Sequence, residues 1–262
     1  MAGSSKDCNP EPVPGSMPQI WLCHETPGGD PDVPGWLTGY ERKTVAKFGG
    51  PRKREYLTSR WLIRQAISRT SGEPVTDCRP VPGRPNRSEV PTGFYLSLSH
   101  SHGLSACVAG PVAGLGIDIE PLQRHPQWHK VVRRWFTPRE QEWLFRTDDP
   151  GNFLVAWTLK EAWLKATGRG IANNLQTLEV LEGFELYGDQ QDGHWSAYCY
   201  ECEGFLVTLV CRQPGANGQP GWPSIQLLQP PAEDFSLGEA ENLDTSWEPR
   251  VQRIIHPASR TD

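Results

Sequence analysis

One short run constrains this chain more than any other stretch: Trp157-Thr158-Leu159-Lys160-Glu161-Ala162-Trp163-Leu164-Lys165. Trp157, Glu161 and Lys165 recur every four residues, so a helix here would send all three side chains off one face. Asn152 is the candidate N-cap and Gly168 the candidate stop, which places the helix over about 152–167. A carboxylate between an indole and an ammonium fits a surface ion pair. It also fits a metal ligand, Glu161, with Lys165 beside the same anion. The run alone does not choose between these.

A second acidic element about forty residues earlier shifts the balance. Gly116-Ile117-Asp118-Ile119-Glu120 alternates as a strand, with Ile117 and Ile119 on one face and Asp118 and Glu120 on the other. Two acids on one strand face repel unless something positive stands between them. The plain alternative is a pair of solvated acids at a strand end. A divalent cation answers the repulsion more economically, and Mg²⁺ takes oxygen ligands while asking few of the protein.

The chain's 262 residues can bury a substantial core. Its 26 glycines and 25 prolines predict long loops or tails. A net charge of −5 gives no bulk attraction to nucleic acid. No run of about 18 apolar residues is present to span a bilayer, and no secretory signal opens the sequence. The seven cysteines are odd in number and scattered, which reads as reduced thiols in a cytoplasmic protein. Cys199 and Cys202 have C-x-x-C spacing but lie in a strand-like run with no second pair to complete a zinc site.

The periodicities divide the chain into a disordered leader (1–18), an N-terminal α+β half (19–121), a C-terminal α+β half (122–229) and a mobile tail (230–262). In the first half, a helix over 55–71 precedes strands at 94–100, 104–109 and 112–119, which read as a meander. In the second, the 152–167 helix precedes strand candidates at 175–185, 195–201 and 205–211, with a last strand at 224–228. Thr137-Pro138-Arg139-Glu140 reads as a capping box opening another helix. Each half thus has a Trp-bearing helix followed by strands. The expected fold is α+β, a pseudo-twofold duplication of a helix plus a small antiparallel sheet, with an active site at the seam between halves.

Three further segments offer anion-binding chemistry. Six basic residues fall between Arg42 and Arg54, either a solvated helical face or a phosphate cradle. Gly83-Arg84-Pro85-Asn86-Arg87 reads as a loop bringing two guanidinium groups near one another. His100 ends the alternating 94–100 strand, as a core-edge histidine or a donor to phosphate.

Taken in order, these segments resemble the motif set of the 4′-phosphopantetheinyl transferases. Gly116-Ile117-Asp118-Ile119-Glu120 followed by Trp157-x-x-Lys160-Glu161-x-x-x-Lys165 is similar to the family's signature pair. Leu98-Ser99-His100-Ser101, the basic segment before the first long helix, and Gly83-Arg84-Pro85 resemble three more motifs. Length and two-half layout resemble the larger, monomeric, broad-specificity branch.

The resemblance implies a cytoplasmic enzyme that moves the phosphopantetheine arm of coenzyme A onto a serine of an acyl, polyketide or peptidyl carrier protein, releasing 3′,5′-ADP. It needs no nucleic acid or membrane. It implies Mg²⁺ held by Asp118, Glu120 and Glu161. Ser99, His100 and Lys165 would meet the substrate phosphates. Glu161 would take the serine proton, directly or through water, and Lys165 could protonate the leaving phosphate. Lys43 and Arg54, with Arg42 or Lys47 as stand-ins for Lys43, would bind the 3′-phosphate and adenine end, with Arg84 and Pro85 lining that pocket. The rival readings are a catalytically inactive carrier-binding module and another Mg²⁺ enzyme acting on a nucleotide pyrophosphate.

Overall fold

A computed structural model describes residues 17–83, 86–123, 127–213, 222–243 and 245–258. In chain order the described elements are β1 (Gln19–His24), α1 (Gly39–Val45), α2 (Gly50–Ser71), β2 (Arg79–Pro80), β3 (Ser88–Val90), β4 (Tyr95–Ser101), β5 (Leu104–Gly110), β6 (Leu115–Pro121), α3 (Trp128–Trp135), α4 (Pro138–Thr147), α5 (Pro150–Ala166), β7 (Leu178–Val180), β8 (Leu186–Gly188), β9 (His194–Cys202), β10 (Phe205–Gln213), β11 (Ile225–Leu228), β12 (Asn242–Leu243) and β13 (Val251–Pro257). The fold is α+β.

A five-stranded sheet runs β12-β11-β1-β5-β4, and a six-stranded one runs β6-β10-β9-β13-β8-β7; β2 and β3 form a separate pair. Side-chain alternation sorts the strands into layers. Trp21, Cys23 and Cys107 face α2, packing with Leu57, Trp61 and Leu62. Ile20, Leu22, Ala106 and Val108 turn the other way and meet Ile117, Ile119, Val207 and Leu209 between the two sheets. On the outer face of the second sheet, Leu206, Val210 and Cys199 pack with Leu159, Trp163 and the α3–α4 pair. The layers are therefore α2, first sheet, second sheet, then α3 to α5.

The helix starts follow local chemistry. Thr38–Glu41 and Thr137–Glu140 are complete capping boxes. The helix expected from Asn152 begins earlier: Asp149 is its N-cap, accepting from Gly151 N–H at 2.8 Å, and Pro150 occupies the first turn. Asp-Pro, which reads locally as a turn, here serves the helix start, where proline's missing N–H costs nothing. Likewise α2 starts at Gly50, not Glu55, with Pro51 in its first turn.

Three expectations are corrected. The meander over 94–119 stops after two strands: β4 and β5 form a hairpin, but β6 leaves that sheet and pairs with β10. Its isoleucines fill the core between sheets, and β4 meets it through side chains, Ile117 N–H donating to Ser97 Oγ at 3.0 Å. The continuous strand over 175–185 is instead a 3₁₀ turn, β7 and a second turn bent at Gly183 (φ 71°). The mobile tail over 230–262 is replaced, in its described parts, by packed structure. Phe235 is 1% exposed in the α2 core, the Trp36 and Trp61 indoles donate to the carbonyls of Phe235 and Ser236, and β13 lies inside the second sheet between β9 and β8. Its apolar anchors are too widely spaced among prolines and acids to show a period. Of the expected leader, residues 1–16 lie outside the described residues, and Met17 packs against the inter-sheet core.

Candidate active site

Gly116 sets the distance between α5 and β6. A Cβ there would come within 1.9 Å of the Ala162 carbonyl oxygen, so only glycine allows the helix this close to the strand. Thr158 and Thr208 lock the contact through hydroxyls 2.8 Å apart on α5 and β10. Period two then turns Asp118 and Glu120 toward α5, and helical spacing brings Glu161 and Lys165 to the same side.

Lys160, adjacent to Glu161, points elsewhere. It is wholly buried, 2.6 Å from the equally buried Glu140 Oε1, and donates to the Leu175 and Leu178 carbonyls at 2.8 and 2.5 Å. Glu140 in turn accepts the Val180 and Thr137 amides at 2.8 and 2.7 Å. This pair ties α4, α5 and β7 together and has no path to a substrate.

At the seam, Lys165 Nζ donates to Asp118 Oδ1 (2.8 Å), Ser99 Oγ (3.0 Å) and the Ile117 carbonyl (2.9 Å), and Ser99 Oγ donates to the same Asp118 oxygen at 3.1 Å. Three contacts use all the donors an ammonium has. The other Asp118 oxygen, Oδ2, is buried and has no hydrogen-bond partner. Burial raises the Asp118 pKa and the Glu120 charge adds to it, against the pull of Lys165. Glu161 is pushed up to about 7 by burial and by the charges of Asp118 and Glu120, with Lys165 opposing. These carboxylates repel each other across the α5–β6 contact. Among the described residues, no group of three His, Cys, Asp or Glu side chains is arranged to hold a metal ion. An orphaned carboxylate oxygen among mutually repelling acids is nonetheless the donor chemistry a divalent cation takes.

Beside this cluster opens a cleft of about 620 Å³, lined among others by Arg60, Ser99, His100, Lys165 and Arg169. A smaller cavity of about 130 Å³ shares Arg60, Leu98 and His100 with it. His100 Nδ1 faces Glu55 at 3.3 Å, and Arg169 faces Asp189 at 2.6 Å.

The structure therefore gathers Ser99, His100, Asp118, Glu120, Glu161 and Lys165 around one seam. Neither Lys43 nor Arg54 is among the described residues that line the cleft. Lys43 is exposed on α1, while Arg54 donates to the Gly29 carbonyl at 2.5 Å and borders a separate cavity beside residues 26–34. Arg84 and Pro85 lie outside the described residues. Arg60 was not singled out by the sequence reading; its signal is the four-residue step from Tyr56, off the stripe formed by Leu57 and Trp61. Cys199 and Cys202, three apart on a strand, fall in opposite cores and cannot share a ligand.

Residues 114–210 match the model of the 4′-phosphopantetheinyl transferase superfamily, and residues 40–110 that of the 4′-phosphopantetheinyl transferase N-terminal domain. A putative 4′-phosphopantetheinyl transferase of Synechocystis sp. is 29% identical over 201 residues, 68% of this chain and 78% of that protein. The 4′-phosphopantetheinyl transferase HetI of Nostoc sp. is 39% identical over 92 residues, 34% of this chain and 38% of HetI. The L-aminoadipate-semialdehyde dehydrogenase-phosphopantetheinyl transferase of Homo sapiens is 23% identical over 241 residues, 80% of this chain and 78% of the human protein.

Proposed function

Since the chain belongs to the 4′-phosphopantetheinyl transferase superfamily, we propose that it transfers the phosphopantetheine arm of coenzyme A to a carrier-protein serine in a Mg²⁺-dependent reaction at the seam between β4, β6 and α5. The observation that carries this reading is the meeting of the buried, unpartnered Asp118 Oδ2 with Glu161 beside a cleft lined by cations. Each long helix backs its own sheet, and the cleft lies where the two sheets' edge strands meet. That layout supports a pseudo-twofold pair of α+β units.

Asp118, Glu120 and Glu161 would hold the cation, Asp118 through Oδ2. The bound ion would offset negative charge on the diphosphate of coenzyme A. Serine is a poor nucleophile at neutral pH and needs a base. Glu161, beside the cleft, is placed to take the hydroxyl proton, directly or through one water. The serine oxygen bonds to the phosphorus carrying the pantetheine arm, and the bond from that phosphorus to the oxygen of 3′,5′-ADP breaks. Lys165 faces the departing phosphate and can give it a proton, exchanging one of its three present acceptors to do so. His100 at the end of β4 adds a donor to the phosphates. The negative net charge leaves attraction for the coenzyme to this local cluster.

Incubating apo acyl, polyketide and peptidyl carrier proteins with coenzyme A and Mg²⁺ tests the reading. The expected result is a carrier serine heavier by one phosphopantetheine, with an equal amount of 3′,5′-ADP. Nucleotide cleavage without protein labelling would identify a different Mg²⁺ enzyme. No change in any carrier would refute the transfer.

A further inference from the structure

Of the four basic side chains lining the cleft, three already face a carboxylate: His100 faces Glu55, Lys165 faces Asp118 and Arg169 faces Asp189. Arg60 differs. Among the described residues no carboxylate forms an ion pair with it, and its Nε is buried without a hydrogen-bond partner. Its guanidinium is held over the Tyr56 ring, 4.6 Å from the centroid, which restricts its plane. It borders both the cleft and the adjoining cavity of about 130 Å³. That cavity is several times the ~30 Å³ share of one liquid water, which is room for a phosphoryl group.

A planar guanidinium with donors to spare, braced on an aromatic ring and facing polar space, is suited to a phosphate's paired oxygens. Lys43 and Arg54, the cations that the resemblance implies for this task, are not among the described residues lining the cleft. Arg54 donates to the Gly29 carbonyl, and Lys43 lies exposed on α1. Resting on the function proposed above, we infer that Arg60 is a further side chain that receives a phosphate of coenzyme A, beside Lys165 and His100. Neighbouring residues fix the group's surroundings: Ser59 and Tyr56 on its own helix, and Leu98 and His100 on β4. Arg52 also lines this small cavity, its guanidinium held over the Phe48 ring 4.7 Å from the centroid, but among the described residues Arg60 is the one arginine that borders both the cavity and the cleft, and Glu55 is already paired with His100.

Coenzyme A offers two sources of that chemistry, the 3′-phosphate and the diphosphate. Steady-state kinetics of Arg60→Met with coenzyme A and with 3′-dephospho-coenzyme A separates them. KM for coenzyme A should rise about ten- to a hundredfold, the loss expected for one charged hydrogen-bonding group, with kcat little changed. A rise confined to coenzyme A supports the inference and places Arg60 on the 3′-phosphate. A rise with both substrates supports it and places Arg60 on the diphosphate. An unchanged KM for both, or a fall in kcat alone, overturns it. A second measurement needs no variant: phenylglyoxal modification of Arg60 in the wild-type protein, mapped by mass spectrometry, should be slowed by 3′,5′-ADP. Equal modification with and without nucleotide also overturns it. Wild-type protein that labels carriers while Arg60→Met keeps its KM would sink this inference and leave the transferase reading standing. Wild-type protein that labels no carrier would sink the transferase reading itself.

Discussion

Helix α5 carries two lysine–carboxylate pairs five residues apart, and they differ in almost everything but charge. Lys160 and Glu140 are both 0% exposed, and their surrounding acceptors and donors are satisfied by backbone. Lys165 and Asp118 are 29% and 9% exposed, border a cleft, and leave one carboxylate oxygen without a partner. The first pair is closed and ties elements together. The second is open and incomplete. The same residue types on one helix therefore do different work, and what separates them is whether the surrounding polar groups are satisfied.

Mutation can break this contrast or sharpen it. The largest effect is expected on the open side, from Glu161→Gln. Carrier labelling should fall by ~10²–10⁴-fold, the usual share of a positioned base. The urea midpoint should hold or rise, because one of three repelling carboxylates is gone. Near-wild-type turnover would remove Glu161 from the chemistry. On the closed side, Lys160→Met strands a buried carboxylate and should cost ~3–5 kcal/mol in equilibrium unfolding. Lys160→Met with Glu140→Leu should recover much of that. If the single variant unfolds at the wild-type midpoint, the pair does not tie the elements as described.

Lys165→Met should shift the balance: activity down by ~10²-fold, comparable to losing one charge-stabilising donor, and a stability loss smaller than that of Lys160→Met, because the partly exposed Lys165 borders a cleft and Ser99 still donates to Asp118. A large stability loss there would make the two pairs alike and dissolve the comparison. The smallest effect concerns a third closed pair, in which Arg64 donates to Glu41 at 3.1 and 2.7 Å. Burial alone would raise the Glu41 pKa, but the Arg64 hydrogen bonds and charge, with Thr38, hold it below the ordinary carboxylate value. Its contribution is present above the unfolded carboxylate pKa of ~4.3 and is lost as pH falls through the lower folded value. Glu41→Gln should flatten that acid-side decline in melting temperature, and an unchanged slope would show that the pair is not what titrates.

The sequence made the chemistry-bearing elements legible because their information is local. Alternation put Asp118 and Glu120 on one face, and four-residue spacing put Glu161 and Lys165 on another. Thr137 and Glu140 declared a helix start. What it did not reveal depends on partners distant in the chain. Nothing in Leu115 to Pro121 states that β6 pairs with β10 and not with β5, since period two fixes faces and not neighbours. Gly116 reads as a flexible residue until the helix above it is known. The resemblance pointed to Lys43 and Arg54, whereas the described lining of the cleft includes Arg60, which only its direction off α2 reveals. The segment after residue 230 escaped because Phe235, Val251 and Ile255 act singly, each buried by a different part of the protein.

The placement of β13 has a consequence for how the molecule is made. It is the last strand of its sheet in chain order, yet Ile255 pairs with Trp195 on one side and Leu186 on the other, bridging β9 to β8. A polypeptide emerging from the ribosome can form the β9–β10 hairpin and the β7–β8 pair early, but it cannot join them until residues 251–257 arrive. Two unfinished edges then stand ready to capture stray strands. Completion of the lobe carrying Asp118 and Glu161 waits on a contact of long sequence separation, which the chain closes late.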